Sequence, residues 1–281
     1  MSSSSPAVLT LAAFSTSTEG GNPAGVVLDA RGLDRDSMQR TAAEAGFSET
    51  AFVIPAGDRR FAMRFFAPAA EVAFCGHATI AAAVALGERQ GPGEFVFETA
   101  AGVVPVLVEH DDDGRLRATL LSVSTSVAPL DDSLLDELLL ILGWSRSDVH
   151  PAATPMVAFA GNHHPVLVAR STDRLESLDY DFEALRALCT EHIWPTIQLV
   201  APMENGEWLS RNPFAFGGVY EDSATGSAAA ALGAYLRELG TVVPGDVFVV
   251  LQGVHMGRPS EILVSVGESR VGVTGYATQV D

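Results

Sequence analysis

Two stretches of small residues, 78–86 and 228–239, constrain the fold of this chain more than any other feature of its sequence. Both are rich in alanine and predict helices, because alanine has the highest helix propensity. A helix of this composition lacks the polar face that a surface helix needs. We therefore expect each helix to lie inside a layer of β-strands.

The two helical stretches belong to a longer internal similarity. Five residue pairs recur at an offset of 150 positions: Glu71 and Glu221, Gly76 and Gly226, Ala78 and Ala228, Ala81 and Ala231, Leu86 and Leu236. An arginine precedes each copy, Arg64 in the first and Arg211 in the second. This similarity indicates that one structural unit has been duplicated.

The repeat predicts an α+β fold with two pseudo-symmetric lobes, each a curved β-sheet or barrel around a central small-residue helix. We place the N-terminal lobe at residues 1–124 and the C-terminal lobe at residues 125–265. The terminal segment, 266–281, is expected to return to the first lobe.

Further helices and strands are predicted around the two small-residue helices. Residues 34–45 have helical spacing, with Asp34 as a candidate N-cap and Gly46 at the end. In the second half, residues 133–142 and 182–189 have the same spacing. Apolar runs with strand-like alternation account for much of the remaining chain.

The composition excludes several classes of enzyme. All 17 basic residues are arginines, so the chain has no lysine for a Schiff base with pyridoxal phosphate or a carbonyl substrate. The same absence excludes a phosphate-binding loop that ends in Gly-Lys-Ser/Thr. The formal net charge of −18 argues against nucleic acid as a partner, because nucleic-acid binding needs a basic surface.

Neither a metal site nor a membrane segment is predicted. The seven histidines are scattered, and the two cysteines, Cys75 and Cys189, do not form a Cys-x-x-Cys pair. No apolar run approaches the ~20 residues of a membrane helix. The first residues lack the basic region and apolar core of a signal peptide, so the cytoplasm is the expected compartment.

The residues at the start of the two small-residue helices are candidates for binding a carboxylate. These residues are Cys75-Gly76-His77 in the first copy and Thr225-Gly226-Ser227 in the second. The N-terminus of a helix offers backbone N–H groups and a partial positive charge, which bind an anion without a basic side chain. In the alternative interpretation, His77 and Ser227 only cap their helices.

Six blocks of sequence, in order along nearly the whole chain, resemble those of the PhzF-like family of phenazine biosynthesis proteins. The blocks are Gly21-Asn22-Pro23-Ala24-Gly25-Val26, Ser48-Glu49-Thr50-Ala51-Phe52, Phe74-Cys75-Gly76-His77-Ala78-Thr79, Thr99-Ala100-Ala101-Gly102, Glu221-Asp222-Ser223-Ala224-Thr225-Gly226-Ser227-Ala228, and Gln252-Gly253 with Met256-Gly257-Arg258-Pro259-Ser260. Any one block alone would be a weak indication, whereas together they are specific. The resemblance implies the two-lobed fold that this family shares with diaminopimelate epimerase and proline racemase.

The resemblance also assigns roles to individual residues. Glu49 falls on the family's catalytic acid/base. His77 and Asp222 match catalytic positions and are expected to assist proton movement, while Ser227 is expected to bind the substrate. Further substrate contacts are expected from Gly76, Gly226, Asn22 and Ser48.

The sequence around Glu49 agrees with that role. Glu49 lies in a short loop between a predicted helix end and an apolar strand, with Phe47 and Phe52 nearby. Apolar neighbours disfavour the ionised carboxylate, which helps a carboxyl group to exchange protons near neutral pH. Without the family resemblance, a solvent-exposed loop glutamate would be the simpler interpretation.

The activity that the resemblance implies is that of an isomerase, which moves a proton and shifts a double bond on a small carboxylated substrate without a cofactor. The implied activity is that of a trans-2,3-dihydro-3-hydroxyanthranilate isomerase. This enzyme catalyses a step in phenazine biosynthesis, and so in antibiotic biosynthesis. Family members also occur outside phenazine pathways, so the substrate stays open. A homodimer is a candidate assembly, because family members often form dimers.

Two alternatives remain. The first is an amino-acid racemase or epimerase that uses Cys75. In related racemases a second cysteine precedes the second helix, where this chain has Thr225, a far weaker acid. The second alternative is a small-molecule-binding homologue without catalytic activity. One departure from the family is Ser223, which replaces the usual proline and could alter the loop that holds Asp222.

Overall fold

The computed structural model describes residues 6–280. Within this range it contains six α-helices: α1 Arg35–Ala45, α2 Gly76–Gln90, α3 Asp132–Ile141, α4 Thr172–Glu176, α5 Phe182–His192 and α6 Gly226–Glu238. It also contains 17 β-strands: β1 Leu9–Ala13, β2 Asn22–Val27, β3 Thr50–Gly57, β4 Arg60–Phe66, β5 Glu71–Val72, β6 Gly93–Thr99, β7 Gly102–His110, β8 Leu116–Leu121, β9 Ser126–Pro129, β10 Met156–Phe159, β11 His163–Val168, β12 Gln198–Pro202, β13 Trp208–Pro213, β14 Glu221–Asp222, β15 Val247–Gln252, β16 Ser260–Val266 and β17 Val271–Gln279.

The chain divides into two compact units. One comprises Met1–Leu121 with Thr274–Asp281, and the other comprises Ser122–Val273. Among the described residues, every helix is too short or too polar to cross a lipid bilayer.

In the first unit, eight strands close into a barrel. Strands β1 and β2 are antiparallel, β2 and β3 are parallel, β3 and β4 are antiparallel, and β4 is parallel to β6. Strands β6, β7 and β8 form an antiparallel meander. Strand β17 pairs with both β8 and β1, which closes the barrel. Each of these strands is therefore paired on both sides.

Helix α2 fills this barrel. All its residues from His77 to Gly87 are buried, and it packs against β1, β2 and β8. A Cβ on Gly87 would lie 2.7 Å from Val108 Cγ1, so the barrel wall approaches too closely for a side chain at this point. The small residues of this helix thus satisfy a packing requirement, as its alanine content predicts.

The second unit repeats this arrangement around α6. Strands β9, β10, β11, β12, β13, β15 and β16 pair in that order. Helix α6 packs against β9, β10, β11, β12 and β16, and its residues from Ala228 to Leu236 are all buried. The shared pattern confirms the predicted fold class, an α+β protein with two pseudo-symmetric lobes.

Helices α3, α4 and α5 add a separate apolar core to the second unit. Leu138 of α3, Leu175 of α4 and Leu185 of α5 are fully buried in it. Cys189 of α5 lies in the same core, and burial raises the pKa of its thiol to about 12. This cysteine is a packing residue.

Local signals in the sequence identify most of the longer elements. Helix α1 follows Asp34, whose side chain accepts a hydrogen bond from the Ser37 backbone N–H at 2.8 Å, and it ends at Gly46 with a φ of 73°. The sequence pattern does not predict β5, β14 or α4. These elements have two to five residues, which is too short for a recognisable periodicity.

An ion pair in each unit holds the segment that leads into the small-residue helix. Arg64 of β4 donates two hydrogen bonds to Glu71 of β5, at 2.7 and 2.8 Å. At the corresponding place, Arg211 of β13 pairs with Glu221 of β14 and donates to the Leu175 carbonyl at 2.7 Å. The exposed side-chain fractions are 32% and 27% for the first pair but 10% and 5% for the second.

We predict that Glu221→Gln lowers the free energy of unfolding by about 3 kcal/mol, because it leaves the buried Arg211 guanidinium without its charge partner. The matched change Glu71→Gln, in the more exposed pair, should cost about 1 kcal/mol or less. Urea titration followed by circular dichroism measures both values. Equal losses in the two variants would contradict the energetic difference that we assign to burial.

Candidate active site

Glu49 lies immediately before β3 and is positioned by β2. The Gly25 backbone N–H donates to the Glu49 carbonyl oxygen at 3.1 Å, and β2 then runs parallel to β3. A Cβ on Gly25 would lie 2.6 Å from Thr50 Oγ1, so glycine is needed for the two strands to approach this closely. The Asn-Pro-Ala-Gly motif therefore fixes the backbone that carries Glu49.

Glu49, Ser48 and Cys75 surround the ring of His77. His77 Nε2 lies 3.5 Å from Glu49 Oε2 and 3.5 Å from Ser48 Oγ. Cys75 Sγ lies 3.4 Å from His77 Nδ1 and 3.8 Å from His77 Nε2. These distances are long for hydrogen bonds, but acid–base groups often reach their final geometry only when substrate is bound.

The Glu49 carboxylate remains accessible within this cluster. Its side chain is 21% exposed, whereas that of His77 is 10% exposed. A carboxylate that contacts an imidazole and is still accessible is suited to accept a proton from a ligand and to return it.

The side chains of this cluster are close enough to one another to hold a metal ion. The potential ligand atoms of Glu49, Cys75 and His77 lie within 4.8 Å of one another. Carboxylate, thiolate and imidazole are all ligands that zinc accepts. The sequence does not predict this group of three potential ligands, because Glu49 is distant in sequence from the other two residues. That the reaction needs no metal stays a prediction.

The start of α2 is open to a ligand. Cys75 occupies the N-cap position, and within residues 6–280 its side chain makes no capping hydrogen bond. A Cβ on Gly76 would meet no atom of the described residues within 4 Å. The His77 ring contacts the Glu49 and Cys75 side chains. That this helix start binds an anion stays a prediction.

In the second unit, Asp222 and Thr225 are held in a loop before α6. The Thr225 hydroxyl donates to Asp222 Oδ2 at 2.6 Å. The buried Gln252 side chain accepts from the Thr225 N–H at 3.0 Å and donates to the Asp222 carbonyl at 2.8 Å. Gln252 thereby fixes the loop, which gives a structural reason for the Gln252-Gly253 block.

Ser223, which stands where the family usually has proline, lies in the same loop. It is buried, and Gly253, with a φ of 72°, packs against its backbone. A Cβ on Gly253 would lie 2.7 Å from the Ser223 carbonyl oxygen. The contacts of Gln252 and Gly253 restrain this loop, and neither contact depends on a proline at position 223.

Ser227, in the first turn of α6, contacts a residue that the sequence analysis does not identify. Its hydroxyl oxygen lies 3.0 Å from His164 Nε2, and His164 is fully buried in β11. Burial lowers the pKa of this imidazole to about 4. The sequence offers only a slight indication that His164 is buried, namely its position directly before the apolar run 165–168. In the structure that run is buried, whereas the neighbouring His163 is exposed.

The structure thus places the candidate residues in two groups. The first unit brings together Ser48, Glu49, Gly76 and His77. The second unit brings Asp222, Gly226 and Ser227 to the start of α6. Asn22 is buried at the beginning of β2, opposite Ala13 of β1.

Comparison with known proteins extends this description. The sequence matches the family described as "Phenazine biosynthesis-like protein" over residues 11–281. It is 33% identical to the trans-2,3-dihydro-3-hydroxyanthranilate isomerase of Pseudomonas aeruginosa over 254 residues, which cover 89% of this chain and 86% of that protein. It is 30% identical to an uncharacterized isomerase of Bacillus subtilis, with 96% and 95% of the two chains covered.

A solved structure agrees with the sequence relatives. The crystal structure of a phenazine biosynthesis protein of the PhzF family from Bacillus anthracis matches with a TM-score of 0.89 and 26% identity. The match covers 98% of this chain and 96% of that one. The fold and the relatives together place this chain in a class of isomerases in which each of two units encloses a central helix within its β-strands. The chain belongs to the PhzF family of phenazine biosynthesis-like proteins.

We predict that alanine has a large effect on stability at one glycine near the site and a small effect at another. Gly25→Ala should lower the free energy of unfolding by about 1–3 kcal/mol, because the new Cβ overlaps Thr50. Gly76→Ala should change it by less than about 1 kcal/mol, since the added Cβ has space and alanine favours a helix. It should nevertheless weaken the binding of benzoate, a simple carboxylate, by covering the helix start.

Urea unfolding and calorimetric titration with benzoate measure these two properties. Unchanged benzoate binding in a folded Gly76→Ala protein would show that the start of α2 is not where a carboxylate binds.

Proposed function

We propose that this chain is a cofactor-independent isomerase in which Glu49 removes a proton from a small carboxylated substrate and delivers one to a different carbon atom. The observation that carries the proposal is the position of the Glu49 carboxylate, which is partly exposed and 3.5 Å from His77 Nε2. A general acid/base needs access to the substrate and a neighbour that orients it. The partial exposure of Glu49 and its contact with His77 support this role.

The proposed reaction balances without a cofactor. Ionised Glu49 takes a proton from a C–H group next to a double bond, and the electron pair of that C–H bond forms the new double bond. The electron pair of the original double bond then takes a proton from the Glu49 carboxylic acid at the far carbon. The oxidation state of the substrate does not change, and Glu49 ends as a carboxylate.

The start of α2 is the proposed anchor for the substrate carboxylate. The open space at Gly76 leaves room for an anion beside the backbone N–H groups of the first turn. His77 belongs to the same turn and its ring contacts Glu49, so an anion bound there would lie close to the proposed base. Ser48, whose Oγ lies 3.5 Å from the same ring nitrogen, is a further proposed substrate contact.

Because they match the family's motif, Asp222 is proposed to assist proton movement and Ser227 to bind the substrate. Their surroundings support these roles. The Thr225 hydroxyl donates to the Asp222 carboxylate, the buried Gln252 side chain donates to the Asp222 backbone carbonyl, and the buried His164 ring contacts the Ser227 hydroxyl. Asn22 and Gly226 are further proposed substrate contacts.

The substrate class is proposed from a relative. The protein of Pseudomonas aeruginosa that is 33% identical to this chain is named for trans-2,3-dihydro-3-hydroxyanthranilate. This compound has a carboxylate, an amino group, a hydroxyl group and a ring that retains double bonds, as the proposed reaction requires. We propose a substrate of this type here, and a role in antibiotic biosynthesis would follow from it. A cytoplasmic location and a homodimeric assembly stay predictions.

The racemase alternative is less well supported by the chemistry of the residues. The chain has two cysteines, of which Cys189 is buried in the core with a pKa raised to about 12. At the position that matches Cys75, Thr225 donates its hydroxyl to Asp222. A threonine hydroxyl is far less acidic than a thiol, so two-sided proton exchange through Cys75 lacks a suitable partner.

We predict that Glu49→Gln folds normally and still binds benzoate, because the anchoring groups belong to the backbone. Its turnover of trans-2,3-dihydro-3-hydroxyanthranilate should fall by at least the ~10²–10⁴-fold typical of removing a general acid/base. Steady-state kinetics under matched conditions, with and without a chelator, measure the loss. The chelator should leave wild-type turnover unchanged.

Cys75→Ser serves as the matched control in the same cluster, and it should keep most of the activity. The assignment would fail if Glu49→Gln kept a near wild-type rate. Loss of several orders of magnitude in a folded Cys75→Ser protein would instead favour the racemase-like mechanism.

A further inference from the structure

His164 and Ser227 are in contact. Ser227 belongs to one of the six family-like sequence blocks, whereas His164 belongs to none of them. Nε2 of the His164 ring lies 3.0 Å from Ser227 Oγ. Nδ1 of the same ring lies 3.2 Å from the Thr196 carbonyl oxygen and 3.0 Å from Thr196 Oγ1. The ring is completely buried, whereas Ser227 is only partly buried and can reach a ligand.

A buried polar network fixes Thr196 against the ring. Asn212 Nδ2 lies 3.2 Å from Thr196 Oγ1 and 2.6 Å from Gln198 Oε1. The Ser210 hydroxyl lies 2.7 Å from Asn212 Oδ1. Gln198 and Asn212 are completely buried. A hydrogen-bonded network in such surroundings favours one arrangement, so Thr196 is a fixed partner of His164.

These contacts decide which ring nitrogen carries the proton. Burial lowers the pKa of His164 to about 4, so near pH 7 the ring is neutral and has one N–H group. A carbonyl oxygen can only accept a hydrogen bond. A proton on Nδ1 therefore attracts the Thr196 carbonyl, whereas a lone pair on Nδ1 would face the lone pairs of that oxygen. The carbonyl contact therefore favours a proton on Nδ1, which leaves Nε2 as the acceptor toward Ser227.

We propose that His164 fixes the direction of the Ser227 hydroxyl and thereby selects a hydrogen-bond donor on the substrate. Because Nε2 accepts the Ser227 proton, the hydroxyl oxygen offers only lone pairs to a ligand. An amino or hydroxyl group can donate to these lone pairs, but a carboxylate cannot. His164 is thus a positioning residue that acts through Ser227. This inference rests on the proposed function, which assigns Ser227 to substrate binding.

The start of α6 then presents groups of both polarities. The backbone N–H groups of its first turn are donors, like those at the proposed carboxylate anchor on α2. The Ser227 oxygen is an acceptor, which suits an amino or hydroxyl group. A compound that carries a carboxylate next to such a donor should therefore bind better than a carboxylate alone.

Nuclear magnetic resonance of the wild-type protein with ¹⁵N-labelled histidine tests the hydrogen-bond direction without any substrate. The His164 ring, assigned by the signal lost in His164→Gln, should carry its proton on Nδ1 at pH 7. A proton on Nε2, or a charged ring at this pH, would overturn the proposal.

Calorimetric titration with two probes tests the consequence for selectivity. Anthranilate has an amino group beside its carboxylate, and benzoate lacks it. Wild-type protein should bind anthranilate about three- to tenfold more tightly, the effect of about one hydrogen bond. The preference should disappear in Ser227→Ala and become smaller in His164→Leu, where the released hydroxyl can also donate to a ligand. It should persist in His163→Leu, the control at the exposed neighbouring histidine.

The outcomes separate this inference from the proposed function. If the preference for anthranilate persists unchanged in Ser227→Ala, the inference fails, even where Glu49→Gln has lost its turnover. If neither probe binds the wild-type protein, the proposed substrate class fails, and the position of the His164 proton alone decides the inference.

Discussion

The burial of two alanine-rich helices is the constraint on which the rest of this structure depends. Helix α2 is enclosed from His77 to Gly87, and a strand of the barrel lies close enough to exclude even a Cβ at Gly87. A polar side chain in a helix enclosed in this way needs a hydrogen-bond partner inside the protein, as Thr79 has in the Cys75 carbonyl. Its first turn is the part where backbone N–H groups remain for a ligand, so the fold confines chemistry to the helix start.

The groups around the helix starts are held by buried partners. The backbone of Glu49 is fixed by Gly25, whose lack of a side chain lets two strands approach. In the second unit, Gln252 holds Asp222, and His164 holds Ser227. Such contacts restrain the groups that we propose to meet the substrate, and positioning of this kind contributes to catalysis before any bond changes.

Most of the fold could be predicted because its main signals are local or repeated, as with the alanine-rich stretches and the Asp34 cap. The family resemblance, rather than any pattern in the residues, identified Glu49. His164 could not be found, because its partner Ser227 is 63 residues away and a single histidine in a strand has no periodicity. The approach of Cys75 and His77 to Glu49 likewise depends on how the barrel closes, which spacing does not encode.

The central claim is that Glu49 shifts a double bond by moving one proton. The most direct measurement is conversion of trans-2,3-dihydro-3-hydroxyanthranilate in deuterated water, followed by proton magnetic resonance and mass spectrometry of the product. Our account predicts an isomer with a shifted double bond that gains at most one carbon-bound deuterium from solvent, and conversion by Glu49→Gln that is slower by at least ~10²–10⁴-fold. A product with the double bond in its original place and deuterium at an inverted carbon would contradict it, as would the same shifted product formed equally fast by Glu49→Gln.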